Sequence, residues 1–511
     1  MKPTATLLPR ILPWAGPLAL LLGSANFGVA QTTPPNQPPA GTLAASAAAN
    51  GPWTLQGAVD YALEHNLTVR QNQLTAENNS AILRQSKAAL LPTANLNGSQ
   101  TWNYGQSVNP LTFEFQNLAT RSNNFSGATQ VVLFQGFQLR NTIKRNAMEY
   151  QASLGDIEKA RNDLSLNIAS QYLQLMLSEE LVRTNQVRVD SDVQQVERTR
   201  KLLRAGSVAE SNLLDIQAQQ ASDELNVITA QNQRDIARLQ LMQLMNLDVA
   251  AQAGFQIQVP DLPDPDEQEP LSEDLNETYQ TALGRLPEIK TADLRVRSAQ
   301  LGVDVARGGY LPRLSFGASV YSGYSSARNV TSISNDSTAR RTTFFVEPPG
   351  GGGVVPLNVL VYQRNTSVLP QRYWDQLDQN LGRQMQFVLN IPILNGLQAR
   401  TNVQRSLINV QQAELQAEQT RLTLRQSIQQ AYADAVAAQR RFSAARRQVE
   451  ALTTAYRNSE IRFNNGLLNG TEFNIAKNNL TAAESNMIQA KYEFIFRRKV
   501  LDFYQGRPLA L

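Results

Sequence analysis

The amino-acid sequence predicts a mainly α-helical fold with a transmembrane β part, built from two internal repeats. One observation is a series of six apolar residues at heptad spacing, a pattern typical of long packed helices. A second is the alternation of apolar and polar residues in the segments that precede these helices. The third is that both patterns recur 260 residues later, which indicates an internal duplication.

Residues 1–30 have the features of a signal peptide. Lys2 and Arg10 supply positive charge, 11–22 is an apolar core, and small residues follow where a peptidase would cut. A membrane anchor is the alternative, but this core is shorter than the roughly 20 residues that a spanning helix needs. Residues 31–52 are uncharged and rich in Pro and Ala, which favours a flexible leader. No later apolar run reaches about 18 residues, so any membrane part is expected to be a β-barrel.

The composition excludes several functional classes. The 511 residues carry a net charge of +4, which is too balanced to indicate nucleic-acid binding. The chain has no Cys, so thiolate metal sites, Cys nucleophiles and lipid attachment through an N-terminal Cys are excluded. His65 is the only His, and no nucleophile–base arrangement is present, so neither an enzyme nor a cofactor site is predicted. The acidic, Pro-rich stretch at 261–270 matches no metal-binding loop and is interpreted as a linker.

Each repeat is predicted to contain a strand hairpin followed by a long helical hairpin. The first repeat spans 53–260, with strands at about 93–135 and a helical hairpin at about 138–247; the second spans 271–508, with strands at about 313–394 and a helical hairpin at about 397–503. The second copy carries about 40 extra residues in the loop at about 325–383, which includes PPGGGGVVP. The pattern assigns no function to this insertion.

The strand segments alternate in the same phase in both repeats. One face is predicted to carry Ala94, Leu96, Trp102, Tyr104, Phe125, Thr129, Val131 and Leu133 in the first copy, and Leu314, Phe316, Ala318, Val320, Tyr324, Met385, Leu389, Ile391 and Ile393 in the second. Such alternation is what a tilted membrane strand needs, with lipid on one side and water on the other. Soluble hairpins packed on a core are the alternative. Aromatic residues at the strand ends, arranged like an interfacial belt, favour the membrane.

The helices after the strands are unusually long. The heptad series are Ile168, Leu175, Val182, Val189, Val196 and Leu203, and then Ile428, Ala435, Phe442, Val449, Tyr456 and Phe463. The alternate positions, Tyr172, Glu179, Gln186, Val193 and Arg200, are less apolar, which suits helices packed side by side with one wet face. A helix from about Gln138 to Ala205 would extend roughly 100 Å. Gly206 and Gly466 fit the left-handed residue that closes a helix, and Ser207 or Asn469 could cap the next one.

Four strands in one chain are too few for a transmembrane barrel, since about eight is the practical minimum. Open strand edges in lipid would leave backbone groups unpaired at several kcal/mol each. If the strands enter a membrane, several copies must therefore share one barrel, and the same symmetry gathers the long helices into a ring.

The chain resembles the outer-membrane efflux protein family (TolC-like) over nearly everything after residue 53. The resemblance rests on the paired segments AALLP and GGYLP, LFQGFQLR and ILNGLQAR, and LLRAGSVAESNLLD and FNNGLLNGTEFN. It implies a homotrimer with a shared 12-stranded outer-membrane β-barrel that is continued by a periplasmic α-helical barrel. It also implies a passive exit duct of a tripartite efflux or type I secretion system, without a cofactor and without lipidation.

The resemblance further implies partners and sites. A periplasmic adaptor protein, linked to an inner-membrane transporter, is expected to dock on the helix tips at Arg204, Gly206, Ser207, Val208, Leu213, Gly466, Leu467 and Leu468. The periplasmic aperture is expected at Asp215 and Glu472. Ile475 stands where relatives often have a second acid, so a charged ring would be weak here. The alternative for both acids is an ordinary solvated charge.

Two other functional classes fit the sequence less well than a channel does. A soluble periplasmic coiled-coil adaptor or structural protein of the envelope would explain the long helices but not the membrane-type strands. An envelope enzyme is disfavoured by the single His and the absence of Cys. The sequence therefore favours an outer-membrane channel.

Overall fold

A computed structural model describes residues 52–108, 115–260, 274–347, 349–351 and 353–507. The elements named below all lie within the compact unit Thr54–Leu511. Three predicted segments lie outside the described residues: the signal peptide at 1–30, the leader at 31–52 except for Pro52, and the linker at 261–270.

The elements follow one another in the same order in the two halves of the chain. The first half contains α1 (Leu55–His65), α2 (Leu67–Ala88), β1 (Thr93–Val108), β2 (Phe115–Gln135), α3 (Gln138–Arg204), α4 (Glu210–Leu244) and the short α5 (Val249–Gln252). The second half contains α6 (Leu275–Arg285), α7 (Pro287–Arg307), β3 (Arg313–Ser325), β4 (Asn329–Val346), β5 (Val355–Pro370), α8 (Tyr373–Gln379), β6 (Gly382–Asn390), α9 (Gln398–Asn464) and α10 (Gly470–Tyr504). Helices α3 and α9 each have 67 residues, and α4 and α10 each have 35. These equal lengths are what a duplication produces.

The short helices begin and end where the local sequence dictates. Asn66 separates α1 from α2, and its side-chain oxygen accepts a hydrogen bond of 2.8 Å from the Thr68 N–H. The Asn66 side chain also donates to the Leu244 carbonyl at 3.0 Å, which ties the helix pair to the end of α4. In the second half Pro287 starts α7, at a position where its missing N–H costs nothing.

Strands β1, β2, β3 and β6 form one antiparallel sheet in the order β1-β2-β3-β6. Helix α2 precedes β1 and α7 precedes β3, while α3 follows β2 and α9 follows β6. All four connections to helices therefore lie at one end of the sheet. The last residue of β1, the first residue of β2 and the insertion between β3 and β6 lie at the opposite end, which we call the far end.

The register separates the sheet into two faces, because residues paired across antiparallel strands point to the same side. One face carries Leu96, Trp102, Tyr104, Phe125, Val131, Phe316, Val320, Met385, Phe387 and Leu389. The other carries Asn95, Asn97, Ser99, Asn124, Ser126, Gln130, Ser315, Ser319, Gln384 and Gln386. Arg121 and Arg383, the charged residues on the apolar face, lie toward the far end. The predicted alternation is therefore confirmed over most of the sheet.

Three residues that were predicted on the apolar strand face do not lie there in the structure: Leu133 in the first copy, and Ile391 and Ile393 in the second. A bulge between Val132 and Phe134 leaves Leu133 without a partner in the register, so Phe134 pairs with Leu314 and continues the apolar face. Strand β6 ends at Asn390, so Ile391 and Ile393 lie beyond it. The cause is Pro392, which has no N–H to offer a neighbouring strand.

The change from strand to long helix uses two consecutive left-handed residues in both copies. In the first copy these are Gly136 and Phe137, with φ of 53° and 61°. A β-carbon on Gly136 would lie 2.3 Å from the carbonyl oxygen of Gly308, which precedes β3, so only glycine fits there. This close approach locks the start of α3 to the start of the neighbouring strand.

The heptad residues form the packed side of the long helices. Ile168, Leu175, Val189, Val196, Ile428, Ala435 and Phe442 are buried. At the alternate positions Tyr172 is buried, while Val193 is 45% exposed, which agrees with the expected wet face. Asp192 and Thr199, which each lie one residue before an alternate position, are buried. None of the described helices contains an apolar stretch of the length that a bilayer crossing needs.

Candidate functional site

The first helix tip lies between α3 and α4. Gly206 has a φ of 71°, and its N–H donates to the Leu203 carbonyl at 2.9 Å. The Ser207 N–H donates to the Leu202 carbonyl at 3.0 Å, which completes a Schellman turn and confirms that Gly206 closes the helix. The predicted cap at Ser207 is wrong: Ala209 occupies the cap position of α4, because the chain continues for two residues before the helix begins.

The second tip, between α9 and α10, repeats this geometry. Gly466 has a φ of 68° and donates to the Phe463 carbonyl at 3.0 Å. The predicted cap at Asn469 is confirmed, since its side-chain oxygen accepts a hydrogen bond of 2.8 Å from the Glu472 N–H. The two tips thus share the turn and differ in the cap.

The residues predicted for adaptor docking are accessible in the chain. Arg204, Gly206, Ser207, Gly466 and Leu467 are exposed, and Val208, Leu213 and Leu468 are half-buried. Leu467 is 70% exposed, which is unusual for a leucine that follows a tight turn with fixed backbone hydrogen bonds. The tips therefore offer apolar side chains on a rigid turn to a partner.

The two tips lie beside each other, and the two predicted aperture acids lie near their contact. A β-carbon on Gly470 would lie 3.5 Å from the Asp215 carboxylate, so Asp215 lies at the N-terminus of α10, where backbone N–H groups favour an anion. Glu472 is in the first turn of α10, and both acids are exposed. Among the described residues, no group of three or more His, Cys, Asp or Glu is placed to hold a metal ion.

An aromatic contact fixes the second tip from below. Phe473 is 4% exposed, and its ring stacks on Phe463 with centroids 4.6 Å apart. Tyr456 lies 5.6 Å from the same ring. Tyr456 and Phe463 are heptad residues of α9, so the heptad series ends in a contact that joins α9 to α10 directly beneath the tip.

A buried charged cluster joins the two helical hairpins on the same side of the tips as this aromatic contact, one helical turn further along α10. Asp192 on α3, Asp223 on α4 and Lys477 on α10 have side chains that are 5%, 4% and 12% exposed. Lys477 Nζ pairs with Asp192 and lies 3.4 Å from Asp223 Oδ2. Gln219 donates to Asp223 at 3.1 Å and to Asn478 at 3.0 Å, which adds a second link from α4 to α10. We call Asp192, Asp223 and Lys477 the interhairpin triad.

The triad contains two carboxyl groups and one ammonium group, and its titration reflects this imbalance. Burial raises the pKa of Asp192 to about 6, and the neighbouring Asp223 adds to the effect. Burial also acts on Asp223, but hydrogen bonds with Asp192 and Gln219 and the charge of Lys477 outweigh it, so the pKa of Asp223 is lowered. Asp192 therefore takes up a proton at a higher pH than Asp223 does.

A second polar link lies about one helical turn from the triad along α3 and about two turns from it along α10. Arg188 on α3 forms an ion pair of 3.1 Å with Glu484 on α10, and the arginine side chain is 10% exposed. Arg188 also donates to the Thr481 carbonyl at 2.9 Å and to Asn185 at 2.9 Å. Both links join α3 to α10, so the first hairpin is held to the second by buried charges as well as by apolar packing.

Neither link follows from the heptad pattern of the sequence. A polar residue that follows a heptad residue by three positions, as Asp192 follows Val189, is the signal that could have found the triad. Its partner Lys477 lies 285 residues away, and no local pattern connects the two.

Comparisons with known proteins agree on a family and a fold. Residues 58–247 and 357–506 match the family model described as outer membrane efflux protein. No curated protein sequence matches the chain significantly.

The solved structures with similar folds include bacterial outer-membrane proteins. The chain is similar to the outer membrane protein VceC from Vibrio cholerae, with a TM-score of 0.68 and 15% identity over 89% of this chain and 96% of that one. It is similar to the CmeC outer membrane channel of Campylobacter jejuni, with a TM-score of 0.69 and 18% identity over 88% and 85%. It is also similar to the open state of the MtrE outer membrane channel of Neisseria gonorrhoeae, with a TM-score of 0.64 and 18% identity over 89% of each chain.

Proposed function

This chain belongs to the outer membrane efflux protein family, and we propose that three copies of it form one passive exit duct from the periplasm to the exterior. As a member of this family it is an outer-membrane efflux channel and not an enzyme. The proposal adds the number of copies, the partners and the surfaces that meet them.

The four-stranded sheet with two open edges is the observation that carries the proposal. Strands β1 and β6 end the sheet on either side, and one face is apolar. In lipid each open edge would leave backbone groups unpaired at a cost of several kcal/mol apiece. Pairing β1 of one copy with β6 of the next removes all the edges, and three copies supply the twelve strands of one closed barrel.

The opposite face of the sheet supports a water-filled lumen. It is mostly polar, and it carries side chains such as Gln130, Ser315, Ser319, Gln384 and Gln386. The long helices continue this conduit, because α3, α4, α9 and α10 of three copies make a ring of twelve helices. At about 1.5 Å per residue, α3 and α9 extend this conduit by roughly 100 Å into the periplasm.

The helix tips are the proposed contact with a periplasmic adaptor protein, which links the channel to an inner-membrane transporter. The exposed Leu467 and the half-buried Val208, Leu213 and Leu468 support this role, since apolar side chains on a rigid turn favour a protein partner. Asp215 and Glu472 line the proposed aperture. They are exposed at the touching tips, where a three-fold axis would bring their copies together.

The proposed mature chain is exported by the signal peptide at 1–30 and carries no lipid, which the absence of Cys supports. It consists of the leader at 31–52 and the repeats at 53–260 and 271–508, joined by the linker at 261–270. Each repeat then supplies two strands to the barrel and two long helices to the ring.

Membrane fractionation followed by sizing in detergent tests the proposed function. We expect the chain in the outer-membrane fraction, as an assembly of three copies that resists SDS until it is heated. The soluble alternative, a periplasmic coiled-coil adaptor or structural protein, predicts release with the periplasm. A monomer in the soluble periplasmic fraction would rule out the channel.

A further inference from the structure

The insertion between β3 and β6 forms a β-hairpin of its own. Strand β4 pairs with β5 in a separate two-stranded antiparallel sheet. At about 3.4 Å per residue, the 18 residues of β4 extend to roughly 60 Å. Because the insertion connects β3 to β6 at the far end of the main sheet, the hairpin starts at the end opposite to the helices.

A polar clasp fixes the base of the hairpin to the end of β3. The side chain of Gln376, on α8, is 1% exposed, and its oxygen accepts a hydrogen bond of 2.9 Å from the Ser325 N–H. Its nitrogen donates to the Ser325 carbonyl at 3.0 Å and to the Gln371 carbonyl at 3.1 Å. Asn380 donates to the Gly323 carbonyl at 2.6 Å. These bonds join the C-terminal end of the insertion to β3, and the Gln371 N–H donates to the Arg328 carbonyl at 3.1 Å, which links it to the N-terminal end. The hairpin therefore starts from a defined position on the main sheet.

The register gives the hairpin one continuous apolar face. Near the glycine-rich turn the pairs Val346–Val355, Phe344–Leu357 and Thr342–Val359 lie on the same side, and the next pair, Arg340–Val361, brings the first charged residue of this face. We call this side the apolar hairpin face; its apolar members are Phe344, Val346, Val355, Leu357, Val359 and Val361, which are 37–54% exposed.

The opposite face of the hairpin is interrupted by polar groups. It carries Arg341, and Thr343 donates to the Asn358 side chain at 2.7 Å in the middle of the face. Phe345, Leu360 and Tyr362 are also on this face, but the polar pair separates Phe345 from the other two. Only the apolar hairpin face is therefore continuous enough to pack against another surface.

The hairpin is poorly stabilised by its own contacts. A two-stranded sheet in water is marginally stable, and both strands of this one have an unpaired edge over most of their length. Yet the register from Ser337–Arg364 to Val346–Val355 is unbroken. A regular hairpin of this length with an exposed apolar face needs a surface to cover that face.

We propose that a second copy of this chain covers the apolar hairpin face. The three hairpins of one channel pack against each other through these faces and form a collar at the outer mouth. This inference rests on the proposed trimer. The clasp places three identical hairpins at equivalent points around one axis. The apolar hairpin faces of neighbouring copies are then already held close together, so their contact needs no further association of free chains.

Single cysteines provide the test, because the chain has none of its own and any disulfide must then join two copies. Thr342→Cys places a thiol on the apolar hairpin face, and Thr343→Cys is the matched control on the opposite face. A disulfide requires Cα atoms within about 7 Å, and a short bis-maleimide extends that reach. We expect Thr342→Cys to give a two-chain species on heated, non-reducing gels, involving at most two of the three chains in each channel. Thr343→Cys should stay a single chain.

Val359→Cys, across from Thr342 on the same face, should crosslink as Thr342→Cys does. Running each variant on gels without heating tests the trimer separately from the contact between hairpins. Loss of the trimer on those gels would refute the proposed function. The inference is overturned if trimers persist while neither apolar-face variant crosslinks by oxidation or by bis-maleimide. It is also overturned if a lipid-soluble maleimide modifies Thr342→Cys in place of crosslinking, since lipid then covers this face.

Discussion

Replacing Lys477 with methionine is expected to destabilise the helical part by about 3–5 kcal/mol, the usual cost of removing one partner from a buried ion pair. Methionine keeps the length of the side chain and removes the charge. Asp192 and Asp223 would then face each other at 5% and 4% exposure with no cation between them. The loss should appear as a lower melting temperature of the helical circular dichroism signal in detergent. Faster proteolysis at the tips should accompany it.

The pH dependence identifies the cause of this loss. Burial raises the pKa of Asp192 in the folded chain to about 6, above the ordinary value of 3.8. Such a carboxyl group favours the folded state most fully below its unfolded pKa, and this contribution is lost as pH rises through 6. The Lys477→Met deficit should therefore be larger at pH 8 than at pH 5, where Asp192 takes up a proton.

Two further variants serve as controls for Lys477→Met. Lys201→Met, on an exposed position of α3, should change stability by no more than about 0.5 kcal/mol. Adding Asp192→Asn and Asp223→Asn to Lys477→Met should recover most of the loss, because no buried charge then remains unpaired. If Lys477→Met melts with the wild-type protein at both pH values, the triad does not hold the hairpins together.

Leu467→Asp is expected to abolish transport while trimers persist. Leu467 is 70% exposed in the free chain, and the proposed adaptor would cover it. Burying an unpaired carboxylate in that contact costs several kcal/mol, which weakens binding by roughly a hundredfold or more. The turn itself should survive, because the Leu467 backbone N–H still donates to the Arg462 carbonyl at 2.8 Å. The measurement is growth in the presence of toxic compounds that cells with the wild-type channel withstand.

One conservative and one disruptive variant serve as controls for Leu467→Asp. Leu467→Met keeps an apolar side chain and should transport normally. Gly466→Pro should fail, because proline cannot adopt the φ of 68° and lacks the N–H that donates to Phe463. If both Leu467→Asp and Gly466→Pro export as the wild type does, the adaptor does not dock on this tip.

The faces of the sheet were predictable because strand periodicity depends only on local sequence. Leu96 and Asn97 fall on the predicted sides. Pro392 was a visible signal for the end of β6, and it overrides the apolar Ile391 and Ile393. The bulge beside Leu133 had no such signal, because it is set by how β2 pairs with β3, nearly 200 residues later.

The candidate site was predictable in part for the same reason. Gly206 and Gly466 close their helices through backbone geometry that glycine alone adopts readily, so the tips could be located. The burial of Asp192 could not be predicted, since it depends on where α10 packs against α3. The position of Asp215 beside Gly470 likewise exists only when the two hairpins come together.

The most direct test of the channel is whether adjacent residues of one strand face lipid and water. In outer membranes, a water-soluble maleimide should modify Asn97→Cys from the lumen and leave Leu96→Cys unmodified, and a lipid-soluble maleimide should show the reverse preference. The register places Leu96 on the apolar face and Asn97 on the polar face, and the chain has no other thiol to react. Equal modification of both variants by the water-soluble reagent would show that the sheet is not embedded in lipid and would contradict a shared barrel.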